Sequence, residues 1–276
     1  MVGRSAKSDW GCGVTEFAVA LAIPTYKRPE YLERVSLASA VQQKAFHGAR
    51  IAVYDDGSPE PTASTVRALC ARQGAIYASG EHSGPVGGLA GALRAGLAAL
   101  DGVDVPVIVL AANDHRLPPA WDVLALAAAA VTYPERECGL WAHRPGNVWW
   151  RGWWPPDVLL AKGVGVSFNH APDEVRGSMP SVIAGREAIG ALAAHMEASA
   201  ATAHKSPVGT WHTFRAFWRE RLGPEGSPYT IIADSAGHES LIEHVGRDAH
   251  PDYIRSAEHE AYEIEIGRRK VATEHA

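Results

Sequence analysis

Four short apolar runs, each ending in a polar turn and each followed by a stretch of helical period, fill the first half of the chain. They are Phe17 to Ile23, Ile51 to Tyr54, the segment "AIYAS" ending at Ser79, and Val105 to Ala112. A strand covered on both faces reads as a continuous apolar run, whereas a strand with one wet face alternates. Between the runs, Pro29 can occupy the first turn of a helix in which Leu32, Val35, Ala38 and Val41 recur at helical spacing up to about Gln43. "ASTVRALCARQG" is a second helix, closed by Gly74. The glycine-rich turn 80–88 runs into an alanine and leucine helix, and the prolines of "NDHRLPPAW" let another begin near Trp121. Strand and helix alternate through Val131, the pattern of an α/β fold with a mostly parallel central sheet and helices on both faces.

Beyond Thr132 the alternation gives way to short strands separated by turn residues, read as a smaller mixed region that extends the sheet in antiparallel fashion. "GREAIGALAAHMEAS" and "GTWHTFRAFWRERLG" are helical by period, and "PYTIIADSAGHESLIEHVG" reads as a strand followed by an irregular loop. The tail from Ser256 is charged. No repeat and no clean linker divides the chain, so it is expected to be one domain with two functional halves, residues 1–131 and 132–276.

With 46% apolar residues the chain can bury a substantial core. Its net charge of −5 lacks the broad basic face of a protein that relies on phosphate-backbone attraction. No apolar run reaches membrane-spanning length, and the first residues lack the apolar stretch of a secretory signal. Cys12, Cys70 and Cys138 are odd in number and widely spaced, which reads as reduced thiols in a cytoplasmic protein.

Ligands of open parallel sheets sit at the carboxyl ends of the strands. Here those ends carry Pro24-Thr25-Tyr26, Asp55-Asp56-Gly57-Ser58, the 80–88 turn and Asn113-Asp114-His115, all expected along one edge. The carboxylates of Asp55 and Asp56 can accept hydrogen bonds from a base or a ribose; "DDGS" can equally be a surface turn that caps the next helix. "SGPVGGLAGALRAGL" has glycines opening a helix, but its register is poor and it follows the third strand, which argues against a dinucleotide-binding fingerprint. Gly87 and Gly88 are expected to permit close packing. Arg94 either faces the ligand or is a solvated helix arginine. Asp114 can ligate Mg²⁺ or Mn²⁺ shared with the phosphates of a nucleotide, with His115 either a second ligand or an exposed loop histidine.

Together, "AVALAIPTYKRPEYL", "IAVYDDGS", "GLAGALRAGL" and "VIVLAANDHRLPPAW" resemble the nucleotide-binding half of GT-A-fold glycosyltransferases of the family 2 type. The resemblance covers about the first half of the chain. It implies that residues 1–131 bind a nucleotide-sugar donor, a UDP-sugar above all, and that residues 132–276 bind the acceptor. Pro24, Thr25, Tyr26 and Arg28 would line the nucleotide pocket, with Asp55 on the base and Asp56 nearby; Gly88, Arg94 and Asn113, read from the strand ends and the helix start themselves, are further candidates for the nucleotide-sugar site. Asp114 matches the last acid of the family's Asp-x-Asp metal motif, whose first acid is replaced by Ala112 and whose middle residue is Asn113. "ESLIEHVG" is similar to a late family element whose histidine lies on the diphosphate or the metal, which maps to His244; the alternative is a histidine that packs a strand end.

Family members that invert the anomeric centre carry an acidic base near the start of a late helix. "VGTWHTFRAFWRERL" has no acid at that place, so His212 is the candidate base, with Asp234 and Glu239 as rivals. Trp149, Trp153 and Trp154 are candidate acceptor-side rings, since indole faces suit sugar rings, and adjacent pairs cannot all point inward; the others face the acceptor or a partner subunit. The expected activity is transfer of a sugar to a hydroxyl acceptor: a saccharide, a lipid-linked glycan, a metabolite, or a modified nucleobase in DNA. A nucleotidyltransferase and a non-catalytic nucleotide-sugar or carbohydrate-binding protein on the same fold are the alternatives.

Overall fold

The computed structural model describes residues 17–43, 50–103, 105–122, 126, 138–142, 158–159, 164–167, 181–183, 186–202, 207–222, 229–234 and 243–245. The first half forms β1 (Phe17–Thr25), a helix α1 assembled from Pro29–Tyr31, a π-helical turn Leu32–Ser36 and Leu37–Ala40, then β2 (Ile51–Asp55), α2 (Thr62–Gln73), β3 (Ile76–Ser79), α3 (Gly84–Ala99) and β4 (Val105–Leu110). Strands β3, β2, β1 and β4 lie side by side in that order and all run parallel. The expected alternation is therefore present, with Gly74 ending α2 as expected.

The remaining described strands are β5 (His115–Arg116), β6 (Cys138–Ala142), β7 (Val158–Leu159), β8 (Val164–Ser167), β9 (Ser181–Ile183), β10 (Tyr229–Asp234) and β11 (Glu243–His244). Past β4 the sheet continues β9-β6-β10-β8-β7. The β4/β9, β9/β6, β10/β8 and β8/β7 pairs are antiparallel and β6/β10 is parallel, the mixed extension read from the sequence. Two further helices, α4 (Arg186–Ala200) and α5 (Pro207–Leu222), complete the described part.

Side chains alternate faces along a strand, and β1 uses both. Val19, Leu21 and Ile23 join Val107 and Val109 of β4 in a core covered by Leu32 and Leu37 of α1 and Val66, Leu69 and Cys70 of α2. Ala18, Ala20 and Ala22 join Ile108 and Leu110 under α3, α4 and the Phe214–Trp218 stretch of α5. The second face is lined by alanines because α3 lies close against it. A Cβ at Gly96 would sit 3.0 Å from Ile108 Cγ2, and one at Gly91 would come within 2.2 Å of Tyr54 Cζ.

Gly91→Ala should therefore destabilise the protein despite the better helix propensity of alanine. Overpacking costs about 1–3 kcal/mol, against a propensity gain of about 1 kcal/mol. Thermal melts of Gly91→Ala, Tyr54→Ala and the double variant should give a non-additive cycle, the second substitution relieving the first. Simple additivity would show that the ring moves aside at no cost.

Candidate functional site

Strands β1, β2 and β3 end level with one another. Thr25 pairs with Asp55, and Asp55 with Ser79. The ladder runs one residue further, the Asp56 N–H donating to the Thr25 carbonyl at 3.0 Å and the Gly80 N–H to the Asp55 carbonyl at 3.2 Å. On the other side Ala22 pairs with Leu110, so that counting equally along both chains brings Asn113 level with Thr25. Asn113 Nδ2 donates to Thr25 Oγ1 at 3.1 Å, with both side chains buried. Parallel register thus brings together residues far apart in the sequence.

The two adjacent acids do different work. Asp55, 1% exposed, accepts from the Ser58 N–H at 3.0 Å through Oδ1 and from the Tyr77 hydroxyl at 3.3 Å through Oδ2. Asp56 reaches across to the start of α3: its Oδ1 accepts from the Ser83 N–H at 3.0 Å and the Ser83 hydroxyl at 2.7 Å, and its Oδ2 from the Gly84 N–H at 3.0 Å. His82 Nδ1 lies 2.8 Å from the same Oδ2. The helix end that a pyrophosphate would occupy in a dinucleotide-binding fold is here taken by an internal carboxylate. The "DDGS" turn does cap a helix, but it is α3 rather than the next one, α2.

Tyr26 projects from the end of β1 and stacks on His82, with ring centroids 4.0 Å apart and planes 12° from parallel. Lys27 Nζ lies 4.9 Å from the centre of the same ring. Lys27 holds a left-handed φ of 52°, and its N–H donates to Ser58 Oγ at 3.0 Å, tying the first turn to the second. Gly57, at φ 75°, is required where it stands: a Cβ would come within 2.5 Å of the His82 backbone nitrogen. Arg28 Nη1 donates to Asp114 Oδ2 at 3.1 Å, joining the β1 turn to the segment after β4. Its guanidinium carbon lies 4.2 Å from the centre of the fully buried Tyr31 ring. Tyr26, Asp55 and Asp114 accordingly belong to one hydrogen-bonded and stacked edge.

The edge has a contributor from the end of the chain. Glu243 pairs with Arg116 and His244 with His115 in the β5/β11 ribbon, and the Val245 N–H donates to the Asp114 carbonyl at 2.9 Å. Val245 packs with Tyr31 and Val35 of α1. The segment expected as an irregular loop thus contains a short strand, as does the turn that holds His115. The backbone of His244 comes beside that of His115; the side chain of His244 lies outside the described part.

Other expected site residues fall differently. Pro24 is half-buried within β1, opposite Tyr54. Gly88 gives Asp56 room, since a Cβ there would sit 3.3 Å from Asp56 Cγ. Arg94 pairs with Glu197 of α4 through both carboxylate oxygens at the protein surface, which holds the Arg94 guanidinium above its ordinary range and the Glu197 carboxyl below its own. It joins two helices and has no described contact with the strand ends. His212 is exposed on α5, and no described contact links it to them. Trp149, Trp153, Trp154 and Glu239 lie outside the described residues, and so does the side chain of Asp234. His82, Tyr77, Ser83 and Tyr31 escaped the sequence reading; the polar "EHS" inside the 80–88 turn was the signal for two of them.

Mn²⁺ or Mg²⁺ was expected on Asp114. Among the described residues no group of three or more His, Cys, Asp or Glu is placed to hold a metal ion. Ala112 offers no donor, and the Asp114 carboxylate faces a guanidinium, which repels a divalent cation. The side chain of His244, the other expected ligand, lies outside the described residues, and an ion held largely by the nucleotide's phosphates needs only one or two protein oxygens.

The profile of glycosyl transferase family 2 matches residues 20–172, more than half of the chain. The chain belongs to this family. The match covers the four parallel strands except the first three residues of β1, together with the edge from Pro24 to Asp114, and the fold is the α/β arrangement expected of it.

No curated protein matches the family 2 chain significantly. Among solved structures, S. aureus TarS overlaps it at 15% identity and a TM-score of 0.47, covering 81% of this chain and 36% of TarS. TarS 1–349 in complex with UDP does so at 14% and 0.46, covering 78% of this chain and 60% of that one. A UDP-glucose pyrophosphorylase complexed with UDP-glucose gives 14% and 0.32, covering 75% and 99%. The family 2 chain spans between about a third and three fifths of the TarS chains it overlaps. Overlaps this loose say nothing of donor or acceptor. No helix among the described residues is long and apolar enough to cross a membrane.

Proposed function

We propose that this family 2 protein transfers a sugar from a nucleoside diphosphate donor, with UDP as the nucleotide, to a hydroxyl acceptor, inverting the anomeric centre. The observation that carries the reading is the single edge on which Tyr26, Arg28, Asp55 and Asp114 are joined in a chain of this family. The Tyr26 and His82 rings offer flat faces to a base. Asp55 holds the turn beneath them, and each of its oxygens keeps spare acceptor capacity. Transfer leaves negative charge on the departing diphosphate, and a cation held in a water-poor setting stabilises that charge far better than one in solvent. Arg28 is that cation among the described residues.

The acceptor half supplies the base. His212 carries that assignment from its place near the start of a helix in the second half. A binding protein without turnover is the second reading, favoured by Ala112 in place of an acid.

Thermal shift against a panel of nucleotide sugars tests the donor, because a ligand that binds only the folded state raises the melting temperature. A UDP-sugar should raise it, and Asp55→Ala should reduce UDP affinity about tenfold, on the scale of a hydrogen bond worth about 1.5 kcal/mol. Sugar release with an acceptor supports the transferase; tight binding with no turnover on any acceptor supports the binding protein. No shift with any nucleotide sugar would remove both.

A further inference from the structure

The Arg28 guanidinium is only partly used. Nη1 meets Asp114, whereas Nε and Nη2 are buried and have no hydrogen-bond partner among the described residues. These two N–H groups form the side-on edge of the guanidinium, the fork that matches two oxygens of a phosphate or carboxylate. Leaving buried donors of a charged group unpaired is costly, and proteins rarely tolerate it without reason. The side chain is 13% exposed, so it does not hang in solvent. The Tyr31 ring on its face and Asp114 at Nη1 fix the plane of the fork.

We propose that the Nε and Nη2 edge of Arg28 grips two oxygens of the donor's diphosphate, and that Asp114 is a positioning residue holding the fork for it. The inference rests on the donor reading above and adds a commitment: the chain carries its own cation for the diphosphate, held by Asp114, the one acid of the motif this sequence keeps. Lysine at position 28 would keep the charge and lose the two-pronged geometry.

Calorimetry on the full chain in buffer containing EDTA, with UDP, uridine and inorganic pyrophosphate as probes, tests this. Wild-type protein should bind UDP at least tenfold more tightly than uridine with the chelator present. Arg28→Lys and Arg28→Ala should each weaken UDP by about 10- to 100-fold while leaving uridine within twofold, which also shows that the variants are folded. UDP affinity unchanged in Arg28→Lys, or a UDP preference over uridine that EDTA abolishes, overturns the proposal. Pyrophosphate binding that depends on Arg28, with no gain from the uridine moiety, would sustain the fork and sink the UDP donor instead. Binding of none of the three probes overturns both.

Discussion

Asp114→Asn is expected to lower donor-dependent turnover by about 100-fold and to weaken UDP, while uridine affinity stays within twofold. Asparagine keeps the shape and one acceptor oxygen but removes the charge opposite Arg28. Hydrogen bonds to charged groups contribute about 1.5–3 kcal/mol, and each 1.36 kcal/mol is tenfold in rate, so the range is roughly 10- to 150-fold. Part of the cost will appear as lost stability, because removing one partner of a largely buried pair leaves the other uncompensated. A lower melting temperature alone therefore decides nothing. The diagnostic quantity is the ratio of UDP to uridine affinity, measured well below the melting transition. A general loosening moves both ligands together, whereas a misdirected fork moves only the one that carries phosphates. Full activity in Asp114→Asn would show that the reaction takes place elsewhere.

The first half of the fold was legible because its signals are local. Apolar runs covered on both faces, a proline opening α1 and glycine ending α2 each report on a few neighbouring residues, and parallel connection then forces the strand ends to one edge. That logic placed Thr25, Asp55 and Asn113 together. It could not see that Asp56 and Asp55, adjacent and chemically identical, divide their work, because the division depends on which way each side chain leaves the turn. Arg94 looked like a ligand residue for want of any sign of Glu197, which lies 103 positions on and meets it only after α3 and α4 pack. The β5/β11 ribbon was invisible for a similar reason: two residues pairing with two across more than a hundred positions leave no periodicity. Sequence reading found the edge and missed what crosses it.

The same division of labour makes the second acid a strong stability determinant. Asp56→Ala is expected to cost about 3–5 kcal/mol, because several hydrogen bonds to one charged group, each contributing about 1.5–3 kcal/mol, are lost together. Asp56 is 4% exposed and receives the Ser83 N–H, the Ser83 hydroxyl and the Gly84 N–H. Removing it strands backbone donors at the start of α3 that no residue within that helix satisfies, since Ser83 makes no side-chain cap of its own. His82 contributes less to the sum, because its side chain is 44% exposed and solvent screens the contact. For a chain of this size each 1 kcal/mol moves the melting temperature by about 2–4 °C, so a fall of roughly 6–20 °C is expected. Asp56→Asn should fall between wild type and Asp56→Ala, retaining an acceptor but not the charge that faces the helix end. The consequence reaches the candidate site through His82, which stacks on Tyr26 and whose backbone packs against Gly57. Asp56→Ala should therefore weaken uridine as well as UDP, unlike Asp114→Asn, which separates the acid that holds the edge together from the acid that aims its cation. A variant at position 56 with unchanged melting temperature would mean that the α3 start is capped by something other than this carboxylate.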